Sequence, residues 1–204
     1  MRHLLTLALV TTLGAPVTAA DKPAGPSADP KNVPLTLSLV AKTPTYKLDL
    51  GGMTADEFKK AVQAGGRAGP KPPAVDLVAV VTNTGSEPLT LWASGDAVVL
   101  TLDLKGPGAV NADAGMMFTR EFRIPKGVDV AAGKTVEFPV RSLSSGFRGA
   151  AQAAYWTAPG GYELTATLKT GVSPAPAGAA DAGQGFGTVT LTSAPAKLTV
   201  EAAK

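Results

Sequence analysis

The chain has 204 residues, no cysteine, one histidine (His3) and a formal net charge of +3. Without cysteine the chain can form neither a disulfide nor a thiolate metal site. His3 falls in a segment that we expect to be removed, so the processed protein would also lack histidine. These absences exclude histidine- and cysteine-dependent catalysis, zinc fingers and haem or iron–sulfur ligation from the processed protein. The small charge, with no run of three basic residues, also argues against nucleic acid as a partner.

Residues 1–20 have the features of a signal peptide. Arg2 gives a basic start, residues 4–13 are apolar, and residues 17–20 (VTAA) supply the small side chains that precede a cleavage site. The apolar run is well short of the roughly 20 residues that cross a bilayer. Residues 21–32 are rich in proline, small and charged residues and are expected to form a disordered leader. We therefore expect an exported bacterial protein, periplasmic or extracellular, with no transmembrane anchor after cleavage.

Order is predicted to begin at residue 33 and to continue as one domain to residue 204. Strands are predicted at residues 33–40 and 46–50, where apolar side chains recur at every second position. Residues 51–73 then form a helical insertion, with the helix itself at 54–65.

The helix is predicted from its end signals as much as from its apolar face. Thr54 and Glu57 have the spacing of a capping box, in which each side chain satisfies a free backbone N–H. Met53 and Phe58 occupy the positions of a hydrophobic staple, and the glycine at position 65 provides a stop. Because the helix is short, its apolar face must pack against the rest of the protein to persist.

From residue 74 onward the pattern is that of strands and turns. Strands are predicted at residues 74–82, 88–92, 98–104, 118–124, 135–140, 162–168, 188–192 and 197–201. Residues 106–115 are predicted to be a loop, 144–154 are ambiguous, and the alanine-, glycine- and proline-rich residues 171–187 are predicted to be a flexible loop. The fold class is therefore all-β: an immunoglobulin-like antiparallel sandwich of two sheets with one short inserted α-helix.

Several of these segments resemble bacterial immunoglobulin-like sandwiches. The segments are residues 80–85 (VVTNTG), 88–91 (PLTL), 132–134 (AGK), Trp156 and 159–166 (PGGYELTA). Their order resembles the BsuPI type, named for an intracellular proteinase inhibitor, over residues 33–50 and 74–169. The whole chain also resembles exported proteins of planctomycete-type bacteria. The resemblance implies a sandwich fold and raises protease inhibition as an activity, while the helical insertion and the 171–187 loop depart from the family's plain form.

Three aromatic residues are the candidate ligand contacts. Trp92, Tyr155 and Trp156 could present rings to a sugar, and the alternative is that they pack inside the sandwich. No catalytic, cofactor-binding or metal-binding residue is assigned, and no cofactor is expected.

Two groups of polar residues have side chains that could carry chemistry. Asp96, Asp103, Asn111 and Asp113 offer oxygen atoms but lack the spacing of a calcium loop, so they are interpreted as surface residues. The serines at 142, 144 and 145 lie near Arg141 and Arg148, yet Lys126 and Lys134 have no motif spacing that would make a serine–lysine pair.

The sequence therefore favours a non-enzymatic interaction or structural module of the bacterial cell envelope. Its partner would be another envelope protein, and the helical insertion and the 171–187 loop are the expected contact elements. Two alternatives stay open: a protease inhibitor that acts through an exposed loop, and a carbohydrate-binding module that uses the tryptophan and tyrosine side chains.

Overall fold

The computed structural model describes residues 33–65, 69–113, 122–147, 150–177, 179 and 185–203. The predicted signal peptide and leader lie outside these residues. Within them the chain forms an all-β sandwich with one short α-helix, which confirms the predicted fold class. The helix α1 spans Ala55–Ala64, and the strands are β1 (Leu35–Ala41), β2 (Thr45–Lys47), β3 (Ala74–Asn83), β4 (Leu89–Ser94), β5 (Val99–Lys105), β6 (Ala109–Asp113), β7 (Lys126–Val130), β8 (Thr135–Ser142), β9 (Ser144–Phe147), β10 (Ala150–Trp156), β11 (Gly160–Ser173), β12 (Gly187–Thr192) and β13 (Ala196–Glu201).

Hydrogen bonding divides the strands into three sheets. In the first, β3 lies between β1 and β8; in the second, β10 lies between β6 and β9. The third has the order β2-β13-β11-β4-β7, with β5 and β12 also paired to the long strand β11. The pairs are antiparallel, apart from the parallel pair of β2 with β13. In the described part of the chain, β7 and β8 each pair along one side only, so both are edge strands.

The main core lies between the first sheet and the third. Alternating side chains on one face of each strand fill it, including Leu37 on β1, Leu77 on β3 and Leu164 on β11, which are all buried. The second sheet lies against the side of this core and contributes Trp156 and Ala154 to it.

Two side chains fasten the corners of the sandwich. Asn83 is fully buried and donates from its amide to the carbonyls of Glu87 and Val130 at 2.9 Å, while its oxygen accepts from the N–H of Gly85 at 2.9 Å. The Tyr162 hydroxyl donates to the Ala158 carbonyl at 2.7 Å, the tyrosine-corner arrangement of immunoglobulin-type sandwiches. Residues predicted as turn and packing residues therefore act as such.

Helix α1 has the predicted ends. The Thr54 hydroxyl accepts from the N–H of Glu57 at 3.3 Å, and the Glu57 carboxylate accepts from the N–H of Thr54 at 2.8 Å, which completes the capping box. The Glu57 carboxylate also accepts from the Thr54 hydroxyl at 2.8 Å, and the two hydrogen bonds to this carboxylate, that from the backbone N–H foremost, lower the pKa of Glu57. The helix ends at Gly65, whose φ of 62° is a conformation that glycine adopts without strain.

Three boundaries differ from the predictions. The predicted loop at 106–115 contains β6, whose small residues gain strand structure by pairing with β10. The predicted strand at 118–124 is not a strand over its described part, residues 122–124; β7 begins after Pro125, which has no N–H to donate to a ladder. Residues 171–173 of the predicted flexible loop belong to β11, while the ambiguous segment contains β9 and the start of β10, which pair antiparallel with each other.

Candidate functional site

A groove lies beside the edge strand β8, between that strand, the turn from β4 to β5, and β9. Its volume is about 460 Å³. The floor is apolar and includes Val98, Leu100 and Phe138, which belong to the margin of the main core. The rim is polar and carries Arg123, Glu137, Arg141 and the serines at 94, 142, 144 and 145.

The structure brings the predicted cluster of serines and arginine to this rim. Ser145 is committed to structure, because its hydroxyl oxygen accepts from the N–H of Leu102 at 3.1 Å. Arg141 forms an ion pair with Asp76 on β3. Neither Lys126 nor Lys134 lines the groove, so the described residues supply no serine–lysine pair there. Arg148, the other arginine of the predicted group, lies outside the described residues.

A segment without regular secondary structure, residues 122–125, reaches the rim of the groove through Arg123. Asp96 fastens it at three points: its N–H donates to the Arg123 carbonyl at 2.9 Å, its carboxylate accepts from the Arg123 N–H at 3.1 Å, and its Oδ1 lies 3.7 Å from the Arg123 Nε. Gly95 has a φ of 104°, and a Cβ there would lie only 2.6 Å from the Pro125 Cα. The turn is therefore shaped so that the segment can pack closely against it.

Phe122 and Ile124 project from this fastened segment into solvent. Phe122 is 68% exposed and Ile124 is 74% exposed. Arg123, which lies between them in the chain, lines the groove instead. Val128 on the edge strand β7 is also exposed. We call the region formed by the groove, residues 122–125, β7 and β8 the open side. The sequence predicts a strand at residues 118–124 and does not identify Phe122 and Ile124 as exposed apolar residues.

The three predicted aromatic contacts do not form a platform. Tyr155 and Trp156 are neighbours on β10 and therefore point to opposite faces of their sheet, where both are buried. Tyr155 packs edge-on against Phe58 of α1 with ring centroids 5.7 Å apart, and burial raises the pKa of its phenol. Its hydroxyl donates to the Pro70 carbonyl at 3.0 Å.

Trp92 lies elsewhere, on β4. Phe186 stacks on its ring at 4.9 Å, and the backbone of Gly171 comes so close that a Cβ there would fall 2.2 Å from a ring carbon. Trp92 is half-buried, and its ring packs against the protein rather than standing out as a binding face. The packing alternative thus describes all three residues better than a shared sugar-binding surface.

Of the residues with oxygen atoms that could bind calcium, Asp96 and Asn111 make hydrogen bonds within the fold, while Asp103, Asn111 and Asp113 border one cavity of about 270 Å³. Asp96 fastens the 122–125 segment, as described above. Asn111 binds the backbone of Leu104 through both ends of its amide, accepting at 3.1 Å and donating at 2.9 Å, and lies 3.4 Å from Asp103. Across the described ranges, no group of three or more carboxylate, histidine or cysteine side chains is placed to hold a metal ion.

Another cavity lies on the other flank of the sandwich, beside α1. It has a volume of about 270 Å³ and is bordered by α1, β2 and residues 71–74. Phe58, Tyr46 and Trp156 contribute its aromatic walls, and Lys47 and Lys71 contribute its cationic groups. The helical insertion therefore creates a concave site of its own.

No protein-family model, curated protein or solved structure matches this chain. Among the described residues, no helix has the length and apolar character needed to cross a bilayer.

Proposed function

We propose that this protein is a non-enzymatic interaction module of the bacterial cell envelope that binds another protein through its open side. The observation that carries the proposal is the exposure of Phe122 and Ile124, 68% and 74%, on a segment that Asp96 fastens to the sandwich. Export rests on the signal-like residues 1–20.

The exposed pair has the character of an interface anchor. Large apolar side chains that enter a partner's pocket dominate binding energies, and a pre-ordered segment loses little conformational entropy on binding. The surrounding groove adds a polar rim with Arg123, Glu137 and Arg141, and polar rims around apolar anchors are typical of protein–protein interfaces. The partner would therefore be a protein with an apolar pocket and a polar border.

The chemistry of the groove supports binding more than catalysis. Glu137 is the only carboxylate among the described residues that line it, whereas hydrolysis by carboxylates needs two that face each other. Arg123, which lies on the rim of the groove, already forms an ion pair with Asp96 and so contributes to the structure of the rim.

The experiment compares capture of envelope proteins by the wild type, the double variant Phe122→Ser/Ile124→Ser, and Val40→Ser. Val40 is also apolar and exposed, at 48%, but lies on β1 away from the groove. We expect one defined partner, identified by mass spectrometry and confirmed with the purified protein, that is retained by wild type and Val40→Ser and lost with the double variant. Equal retention by all three proteins, or no partner at all, would refute the proposal.

Protease inhibition through the same segment is the second candidate function. Residues 122–124 are exposed, and hydrogen bonds to Asp96 hold the main chain of Arg123, so the segment would lose little conformational entropy when a protease binds it. A panel of serine, cysteine and metalloproteases tests it. Inhibition that falls sharply in Phe122→Ser would favour this activity, and the absence of inhibition across the panel would remove it.

A further inference from the structure

We propose that the cavity beside α1 is a binding site for a small organic carboxylate. This site is separate from the open side and does not depend on the function proposed for it. The proposal rests on the donors that line the cavity, on their lack of acceptors, and on the shape and polarity of the walls.

The indole N–H of Trp156 is the hydrogen-bond donor on which the proposal chiefly depends. Its side chain is 97% buried, with only 3% exposed, and stacks on Tyr46 with ring centroids 5.3 Å apart. The indole N–H donates to no acceptor among the described residues. Every fully buried side-chain nitrogen or oxygen in those residues does have a hydrogen-bond partner, so this nitrogen is not fully buried. The N–H therefore reaches accessible space, and Trp156 is one of the residues that line the cavity. A buried indole N–H normally finds an acceptor, so an acceptor from outside fits this position.

Three further donors border the same cavity. Lys47 and Lys71 form no ion pair with any described residue. The Tyr46 hydroxyl oxygen accepts from the N–H of Asp76 at 3.0 Å, and its own proton has no acceptor in the described part of the chain. Asp49, the only carboxylate among the described residues that line the cavity, accepts from the N–H of Gly51 at 2.9 Å. The lining therefore has an excess of donors and a net positive charge.

The apolar walls of the cavity indicate what kind of group the carboxylate of the ligand would be attached to. Phe58, Pro72 and Pro73 are apolar and stand beside the aromatic faces of Tyr46 and Trp156. An inorganic anion would satisfy the donors but would leave these walls in water, whereas a ring-sized organic acid would cover them. The volume of about 270 Å³ has room for a body of that size. A carboxylate also matches the donors, because it accepts at both oxygens.

The indole N–H gives a direct test. The chain has two tryptophans, so its nitrogen–proton NMR spectrum contains two indole signals, and Trp92→Phe identifies that of Trp156. The probes are benzoate and glucuronate as ring-sized carboxylates, benzamide and glucose as their neutral counterparts, and inorganic phosphate. We expect at least one carboxylate to move the Trp156 signal saturably downfield, while its neutral counterpart and phosphate leave it in place. The Trp92 signal should not change.

Charge variants separate binding at this cavity from binding elsewhere. Replacing both Lys47 and Lys71 with methionine should weaken carboxylate binding about tenfold, because two exposed charges are lost. Lys60→Met changes a lysine on α1 that does not border the cavity, and this variant should bind as the wild type does. Both lysines are exposed, so the double variant should fold normally. The proposal fails if neither carboxylate moves the Trp156 signal, if a neutral probe or phosphate moves it equally, or if the double variant binds unchanged.

Discussion

Apolar side chains are buried on one flank of this sandwich and exposed on the other. On the helix-covered side, Phe58 and Val62 of α1 lie over Ala153 and Tyr155 of the second sheet, and all four are buried. On the open side, Phe122 and Ile124 are exposed to solvent, at 68% and 74%. The same types of residue therefore contribute to a small second core on one flank and to an exposed surface on the other.

The difference shows that exposure on the open side does not come from loose structure. The 122–125 segment is fastened by Asp96, and the adjoining corner is held by the buried amide of Asn83, which binds the Val130 carbonyl at the end of β7. A rigid frame that holds apolar side chains in water is typical of a surface that meets a partner. The helix-covered side instead uses its apolar residues for folding and keeps only a small cavity.

The largest effect is expected when the helix-covered side loses its main contact. Phe58→Ala removes the ring that packs on Tyr155 and should lower the free energy of unfolding by about 3 kcal/mol, measured by denaturant titration. It should also bring the raised pKa of Tyr155 back toward its ordinary value, since the phenol loses its cover. An unchanged tyrosine titration would show that α1 is not what buries Tyr155.

The frame of the open side is tested by Asn83→Ala. This change leaves the carbonyls of Glu87 and Val130 and the N–H of Gly85 without their partner and should cost about 2 kcal/mol of unfolding free energy. Asn111→Ala is the matched control, because Asn111 also makes backbone hydrogen bonds but is exposed to water that can replace them. If both variants lost the same stability, burial of Asn83 would not be the reason for its effect.

A smaller effect is expected at the start of the helix. Thr54→Ala removes the hydroxyl half of the capping box and should cost about 1 kcal/mol. The pKa of Glu57, lowered in the folded protein, should rise part of the way to its ordinary value of 4.5, because the backbone N–H of residue 54 still donates. NMR titration of Glu57 in both proteins provides the measurement.

The sign of the associated pH dependence follows from the lowered pKa. The contribution of ionised Glu57 is present above pH 4.5 and is lost as the pH falls through the lowered value. Fraying of the first turn of α1 should therefore begin below pH 4.5, and an increase in helix stability in that range would contradict this assignment.

The sequence predicted the helix closely because its signals are local. Thr54, Glu57 and the glycine at position 65 satisfy or end backbone hydrogen bonding within a few residues, so their spacing alone specifies the structure. The turn residue Asn83 was predicted for the same kind of reason, although its bond to Val130, 47 residues away, was not.

The open side could not be predicted because its shape depends on distant contacts. The sequence shows Phe122 and Ile124 alternating with charged residues, which is equally consistent with a strand that buries them. Only the contact of Asp96 with Arg123 reveals that the segment is fastened outside the sheet. Likewise, the separation of Trp92 from Tyr155 and Trp156 depends on strand order, which the pattern of a single strand does not contain.

The smallest effect on stability is expected from Phe122→Ala on the open side. Because the ring is 68% exposed, its removal should change the free energy of unfolding by less than about 0.5 kcal/mol. The variant should nevertheless lose much of its affinity for the partner recovered by the wild type.

The paired unfolding free energies of Phe58→Ala and Phe122→Ala test the central claim most directly. Each change removes one phenylalanine ring from the same protein. The difference between the two losses of unfolding free energy therefore shows whether each flank uses its apolar residues for folding. We predict a loss of about 3 kcal/mol for Phe58→Ala and less than about 0.5 kcal/mol for Phe122→Ala. Equal losses would mean that Phe122 serves folding, and the open side would then not be a surface kept for a partner.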